Sequence, residues 1–232
     1  MILRTFMKEG VSCIIPAHNE GERIGNVLKA VLGNPSVREV IVINDGSTDK
    51  TREIVKKFKR VKLINNKINQ GKSKSVMYGI ERAKGPLLLM LDADLLNINK
   101  ENITALIAPV QKELADISIS LRKNAPWHFK LIGLDFLSGE RVFSKELVKD
   151  FKKLEKIPGW GIESGYLNKI IIKNNLRLKV VHWDNVESPY PQKKLGYLKG
   201  NVRFMKQIFT ILSITGLFGT TYQIFKMISL KV

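Results

Sequence analysis

At 232 residues the chain is long enough for one large domain, or two small ones, with a core that folds unaided. Lys and Arg number 39 against 21 Asp and Glu, a formal net charge of +18, while 44% hydrophobic and 26% charged residues exclude whole-chain disorder. With 17 Gly and 8 Pro a collagen-like or low-complexity chain is excluded too, and the single cysteine, Cys13, rules out an internal disulfide or a cysteine zinc cluster, as expected of a cytosolic protein.

In chain order, residues 11–16 (VSCIIP) are a short β-branched run that predicts a buried strand, with Cys13 packing as a small hydrophobe. Residues 20–32 carry Ile24, Val27, Leu28 and Val31 at helical spacing. A second buried strand is expected at 39–44 (EVIVIN), followed by a turn and a helix over 48–60 capped by Ser47 or Thr48. Strand three is expected at 61–65, helix three at 70–83, and strand four at 86–91 (PLLLML), apolar at every position as suits a central parallel strand. Helix four over 100–113 and strand five over 116–121 complete the alternation. This rhythm predicts an α/β fold, an open and mostly parallel sheet flanked by helices, with ligands beyond the carboxyl ends of the strands. Beyond 121 the rhythm breaks: 122–160 is mixed, then a helix over 162–174 and a strand over 178–183 are expected, with no linker and no internal repeat.

The first ten residues, MILRTFMKEG, have neither an apolar run nor a small-residue cleavage site, so no signal peptide is expected, and no stretch before residue 204 is apolar for long enough to span a bilayer. The charge surplus points to an anionic partner or, equally, to a solvated lysine-rich surface. No RNP, zinc-finger or basic-helix motif appears, so nucleic acid is not the expected partner.

Three loops that follow strands carry candidate chemistry: Pro16-Ala17-His18-Asn19-Glu20, Asp45-Gly46-Ser47-Thr48-Asp49 and Asp92-Ala93-Asp94. Two carboxylates at i and i+2 can grip one divalent cation, and that cation can neutralise a diphosphate. An isolated pair of this kind reads as solvated turn residues. Delivery by a buried apolar strand beside two companion loops favours a site, because burying unpaired acids is costly.

Together IIPAHNE (14–20), VINDGSTDKT (42–51), NQGKSKSVMYGIERAKG (69–85) and LDADL (91–95) resemble the family 2 glycosyltransferases, whose nucleotide-sugar-binding fold is called GT-A. The resemblance covers roughly residues 11–120 and continues more weakly through SGERVF (138–143) and GWGIESGYLNKI (159–170). It implies a nucleotide-sugar half over 1–121, an acceptor half over 122–190, and a basic and apolar helical tail over 191–232. It further implies that Pro16, Ala17, Asn19 and Glu20 line the nucleotide, that Asp45 accepts a hydrogen bond from the base, and that Gly71 and Lys72 approach the donor. Asp92, with Ala93 beside it, would contact ribose or sugar, and Asp94 together with Asp92 would bind Mg²⁺ or Mn²⁺. In the acceptor half Arg141 is a candidate for holding an acceptor phosphate, and Glu163 for a catalytic base or an acceptor-orienting acid; a helix N-terminal charge is an equal reading of Glu163. Some relatives carry a metal-binding glutamine where this chain has Leu96, so His182 or water is the candidate third ligand, with a structural histidine as the alternative. Trp127, Trp160 and Trp183 are candidates for sugar stacking or for core packing.

The resemblance leans to polyprenyl-phosphate hexose synthases, which implies an inverting transfer from a GDP-mannose or UDP-glucose type donor to a polyprenyl phosphate at the cytosolic membrane face. The absence of a Q-x-x-R-W motif argues against a processive polysaccharide synthase. Lys193, Lys194, Lys199, Arg203 and Lys206 precede an uncharged stretch over 207–225, too polar for a clear membrane span. A helix lying on an anionic membrane surface is expected, which would make the protein peripheral at the inner face of the cell membrane. A helix that packs on the domain or joins a homo-oligomer is the other reading. The remaining alternatives are a soluble phosphorylated or glycan acceptor, and a non-catalytic nucleotide- or nucleic-acid-binding protein.

Overall fold

The computed structural model describes residues 10–159 and 161–232, so Trp160 and most of the MILRTFMKEG segment lie outside the described residues. Seven strands, β1 (Val11–Ala17), β2 (Val37–Asp45), β3 (Val61–Asn66), β4 (Leu87–Met90), β5 (Ile117–Arg122), β6 (Arg141–Ser144) and β7 (Leu178–Trp183), form one sheet in the order β3-β2-β1-β4-β6-β5-β7. All neighbours are parallel except β6, which runs antiparallel to both β4 and β5.

Both faces of the central strands are apolar, and their alternation assigns residues to two cores. Cys13, Ile15, Val40, Val42, Leu87 and Leu89 face one core, and Ile14, Ile41, Ile43, Leu88 and Met90 the other. The first core is covered by α1 (Ile24–Leu32), α2 (Thr51–Lys56) and α4 (Lys100–Gln111), through Val27, Leu28, Val31, Val55, Ile103 and Leu106. The second is covered by α3 (Lys72–Arg82) and α6 (Asn168–Lys173), through Val76, Ile80 and Ile171.

Three local features depart from the sequence expectations. The turn before α2 is not capped by Ser47 or Thr48. Instead Ser47 Oγ accepts from Asn19 N at 3.0 Å and Thr48 N donates to Asn19 Oδ1 at 2.8 Å, while Asp49 accepts from Thr51 N and Gly21 N at 2.9 Å each. The caps are spent on tying the first two post-strand loops together. Within the mixed stretch lie the short helix α5 (Trp127–Ile132) and the four-residue strand β6, which enters between β4 and β5. The helix expected over 162–174 begins as a π-helical turn, Glu163–Leu167, before α6.

The C-terminal stretch divides. After α7 (Pro191–Leu195), the long helix α8 (Tyr197–Ser229) is broken at Gly216, where φ is 65° and ψ 168°, a conformation open essentially to glycine alone. Beyond the break Gln223 and Met227 are buried, Met227 joins the second core, and Leu178 exchanges backbone hydrogen bonds with Leu230 and Val232 at 2.8 and 3.0 Å. On both sides of the break other residues stay exposed, Phe209 before it and Phe218 and Phe225 after it, while Ile214 lies against Gly161 and Gly165.

Candidate active site

Because β1, β2 and β4 are parallel neighbours, their carboxyl ends bring 16–20, 45–49 and 92–94 to one edge of the sheet, at the point where strand order reverses around β1. Pro16 and Ala17 close β1 opposite Ile43 and Asn44. Asn19 takes φ 56° and clasps the second loop as described, and His18 Nδ1 lies 2.7 Å from the carbonyl oxygen of Asp45. Asp45 itself is 4% exposed and accepts from Asn66 Nδ2 and Gln70 N at 2.9 Å and from Gly71 N at 2.8 Å. In this structure Asp45 is the post that holds the 66–71 loop, and through it the start of α3.

That start delivers Lys72. Its ammonium lies 2.7 Å from Asp92 Oδ1 and 2.8 Å from Glu163 Oε1. Burial, the largest single influence, would raise the Asp92 carboxyl, but the charge and hydrogen bond of Lys72, with the Arg122 and Lys194 charges, together turn the net direction down. For Lys72 burial works against the charged form, and the two carboxylates more than reverse it, so its pKa moves up. A Cβ at Gly139 would stand 2.6 Å from Lys72 Nζ and 2.8 Å from Asp92 Oδ1, so any side chain there would displace the Lys72–Asp92 pair. Ala93 points into the first core, leaving Asp92 and Asp94 on the open side.

Asp94 has a different partner. Lys194 Nζ, on α7, lies 2.5 Å from Asp94 Oδ2 and 2.5 Å from Glu20 Oε1, and Ser188 Oγ faces both Asp94 oxygens at 3.4 Å. Burial raises the Glu20 pKa, and Lys194 opposes that shift without cancelling it. Two carboxylates thus converge on one cation with hard oxygen donors. That set fits Mg²⁺ or Mn²⁺, which are commonly held by one or two carboxylates together with substrate phosphates. No group of three His, Cys, Asp or Glu residues able to hold an ion by themselves occurs among the described residues. His182 is exposed on β7, three strand spacings from β4 or roughly 14 Å, and does not join Asp92 and Asp94 as a third ligand.

Arg141 is also corrected. It is 0% exposed, and its guanidinium donates to Ser138 O, Phe136 O and Asn168 Oδ1 at 2.7 Å each. Burial pulls its pKa down to about 10. Each of its three nitrogens donates inside the protein and the side chain is fully buried, so it does not reach an acceptor phosphate. The cation on the site side is Arg122, at the carboxyl end of β5. It pairs with Asp135 at 3.3 Å and Glu140 at 3.4 Å and leaves its buried Nε without a hydrogen-bond partner. Glu140 is 0% exposed and accepts from the Ser120 and Ser138 hydroxyls at 2.7 Å, and burial raises its pKa despite Arg122. Trp183 is core, 0% exposed, whereas Trp127 is 76% exposed at the start of α5.

Sequence reasoning missed Lys194 and Arg122. Arg122 was open to the rule that singled out the other loops, since it ends a strand on the same edge. Lys194 carried no signal beyond its place in a basic stretch, because no spacing rule links it to an aspartate 100 residues away.

Comparison with known proteins bears on the family and the fold. A family model described as Glycosyl transferase family 2 matches residues 12–171. Over 97 residues the chain is 35% identical to dolichyl-phosphate beta-glucosyltransferase ALG5A of Trichomonas vaginalis, covering 36% of this chain and 30% of that protein. Over 90 residues it is 37% identical to poly-beta-1,6-N-acetyl-D-glucosamine synthase of Staphylococcus epidermidis, covering 37% of this chain and 22% of that protein. The matched stretches thus span less than a third of the length of either relative. Among solved structures, glucosyl-3-phosphoglycerate synthase from Mycobacterium tuberculosis, in complex with Mn²⁺, UDP and glucosyl-3-phosphoglycerate, is similar with a TM-score of 0.69 at 22% identity. That likeness covers 92% of this chain and 84% of the other, and is one of fold, the GT-A arrangement expected from the sequence. Since the matched stretch runs from the first strand through the π-helical turn that bears Glu163, and so takes in the loops after β1, β2 and β4, the chain belongs to glycosyltransferase family 2.

Proposed function

We propose that this protein transfers a hexose from a nucleoside diphosphate sugar to a polyprenyl phosphate at an anionic membrane surface. The observation that carries the membrane acceptor is the first half of α8. Leu198, Val202, Met205, Phe209 and Leu212 are all exposed there at spacings of i, i+4, i+7, i+11 and i+14, one continuous apolar stripe. Lys199, Arg203 and Lys206 run alongside it, one residue on. A stripe of this kind with a basic flank lies in the plane of a lipid interface, and each Lys or Arg near an anionic surface contributes about 1 kcal/mol. By its length and an 18-residue window of mean hydropathy 1.4, α8 passes for a membrane-crossing helix. The break at Gly216 and the bond from Gln223 Nε2 to Ser164 O at 2.9 Å favour a helix lying along the membrane instead. The dolichyl-phosphate relative lends this acceptor class further support.

In the proposed reaction an acceptor phosphate oxygen bonds to the anomeric carbon as the bond from that carbon to the β-phosphate oxygen breaks. The nucleoside diphosphate leaves with the electron pair, and the configuration inverts. Pro16, Ala17, Asn19, Asp45 and Gly71 line the nucleotide, and Asp92 faces the sugar. Mg²⁺ or Mn²⁺ held by Asp94 and Glu20 supplies positive charge for the diphosphate. A phosphate monoester has a second pKa of about 6, so the acceptor arrives ionised and needs no strong base. Glu163 then serves as the second anchor of Lys72, and Arg122 offers a guanidinium to phosphate.

The test uses labelled UDP-glucose and GDP-mannose with polyprenyl phosphate in anionic liposomes and Mg²⁺ or Mn²⁺. Label passes into the organic phase with the native protein and falls by about 100-fold or more with Asp94→Asn, whose fold survives because the change is isosteric. Metal-dependent donor binding without organic-phase label moves the acceptor to a soluble compound, and native turnover by Asp94→Asn removes Asp94 from the cation role.

A further inference from the structure

Each acid of the Asp92-Ala93-Asp94 turn has its own lysine, and the two lysines differ in origin. Lys72 rises from the first residue of α3, backed by the second core. Lys194 comes from a surface strap. The strap is moored to the loop after β5, where Asn124 Nδ2 donates to Ser188 O at 2.8 Å, Ser188 N donates to Asn124 Oδ1 at 3.2 Å, and the Tyr190 hydroxyl donates to Asn124 O at 2.7 Å. From there it turns through α7 into the first half of α8. Although the strap is a surface feature, the Lys194 side chain is only 15% exposed, because its ammonium sits between Asp94 and Glu20. Those two carboxylates would repel each other in a partly buried site unless a cation lay between them, and Lys194 is that cation.

We propose that Lys194 is an exchangeable internal counter-ion. It occupies the carboxylates that receive the divalent cation and is displaced when the cation arrives with a nucleoside diphosphate. The inference rests on the reading of Asp94 as a cation ligand and goes beyond it. An ammonium and a divalent ion cannot share Asp94 Oδ2, since two positive charges would then stand within a few ångströms of each other in a poorly solvated site. The tethered ammonium is present at high effective concentration, so it lowers the affinity for a metal ion on its own. A diphosphate reverses the balance, because it offers the displaced ammonium a new anionic partner, and one whose charge grows as the sugar leaves. Metal and nucleotide therefore bind with positive coupling through Lys194. The strap that runs into the lipid-facing helix is released in the same event, which ties donor loading to the element that meets the membrane.

The experiment measures Mn²⁺ uptake by the full chain from loss of the free Mn²⁺ electron paramagnetic resonance signal, with and without UDP. Native protein is compared with Lys194→Gln, Lys194→Arg, Asp94→Asn and the exposed neighbour Lys193→Gln, each checked for fold by circular dichroism. Lys194→Gln is expected to bind Mn²⁺ alone roughly tenfold more tightly than native protein and to gain less from UDP. Lys194→Arg and Lys193→Gln should match native protein, the first because it keeps the tethered charge and the second because it removes a charge outside the site. Hydrogen exchange over 186–195 should speed up in native protein on addition of Mn²⁺ with UDP. Equal or weaker Mn²⁺ binding by Lys194→Gln overturns the counter-ion role and leaves the metal site standing. Mn²⁺ uptake, with UDP present, that is absent from native protein or unaltered by Asp94→Asn overturns the metal reading and the counter-ion with it.

Discussion

Arg141 and Lys72 show how differently a buried cation can be employed. Arg141 donates only to neutral oxygens, two carbonyls and the Asn168 side chain, so its work is to brace the 136–138 turn against α6. Arg141→Met would leave Ser138 O and Asn168 Oδ1 without that donor, at about 1–3 kcal/mol each, while Phe136 O keeps Asn168 Nδ2 at 3.0 Å. Urea unfolding should show a loss of about 3 kcal/mol or more, whereas a variant of native stability with a raised KM for acceptor would restore Arg141 to the phosphate. Lys72 holds two carboxylates, and its loss has a pH signature. In native protein Asp92 titrates below the ordinary aspartate value of 3.8, so the stabilisation from the pair is present above that value and lost as pH falls through the depressed pKa. In Lys72→Met burial, the largest influence on Asp92, is opposed only by the Arg122 and Lys194 charges, and its pKa rises. The folded state then binds the proton more tightly than the unfolded one, and stability falls as pH rises from about 4 upward. The variant should be about 3 kcal/mol less stable than native protein at neutral pH, with the gap narrowing towards pH 4. A gap independent of pH in thermal melts would count against the pairing.

Among the elements, those read most directly from sequence are the ones whose pattern is local. Strand β4 is an unbroken apolar run, β1 and β2 are built around the apolar runs 13–15 and 40–43, and helices α1 and α4 carry apolar residues at helical spacing, so their places follow without knowledge of their neighbours. Strand β6 did not announce itself. Arg-Val-Phe-Ser is short, begins with a charge, and is a strand because β4 and β5 offer their edges on either side. The break in α8 is similar, since one glycine in an uncharged helical stretch is no stop signal. Gly216→Ala meets no atom within 4 Å of the new Cβ, so its cost is all backbone, about 2 kcal/mol for the ψ 168° conformation at positive φ. Thermal unfolding should register that loss, and an unchanged melting temperature would mean that the helix straightens without penalty.

Taken as a whole, the molecule is a two-faced sheet whose site edge and partly exposed helix α8 are joined by one strap. Deleting the tail would not test the membrane reading cleanly, because Met227 and the 230–232 segment belong to the folded core. Met205→Glu combined with Phe209→Glu instead places two charges on the exposed stripe. Flotation with anionic liposomes should be lost while the melting temperature stays within about 1 °C of native, as surface substitutions are usually small in effect. Undiminished flotation would leave the stripe for a second copy of the chain.

The sequence by itself determined the parallel α/β sheet, the three post-strand loops and the family, because each is written in short-range patterns: apolar runs, turn residues, and acids two apart. Only the tertiary structure decided that Arg141 is internal, that His182 stands apart from the aspartates, that Arg122 faces the site, and that Lys194 closes on Asp94. These depend on which strand lies beside which and on where a distant strap lands. Charge partners chosen across the fold leave no spacing in the chain, since an ion pair needs only a few ångströms in space and places no condition on separation in sequence.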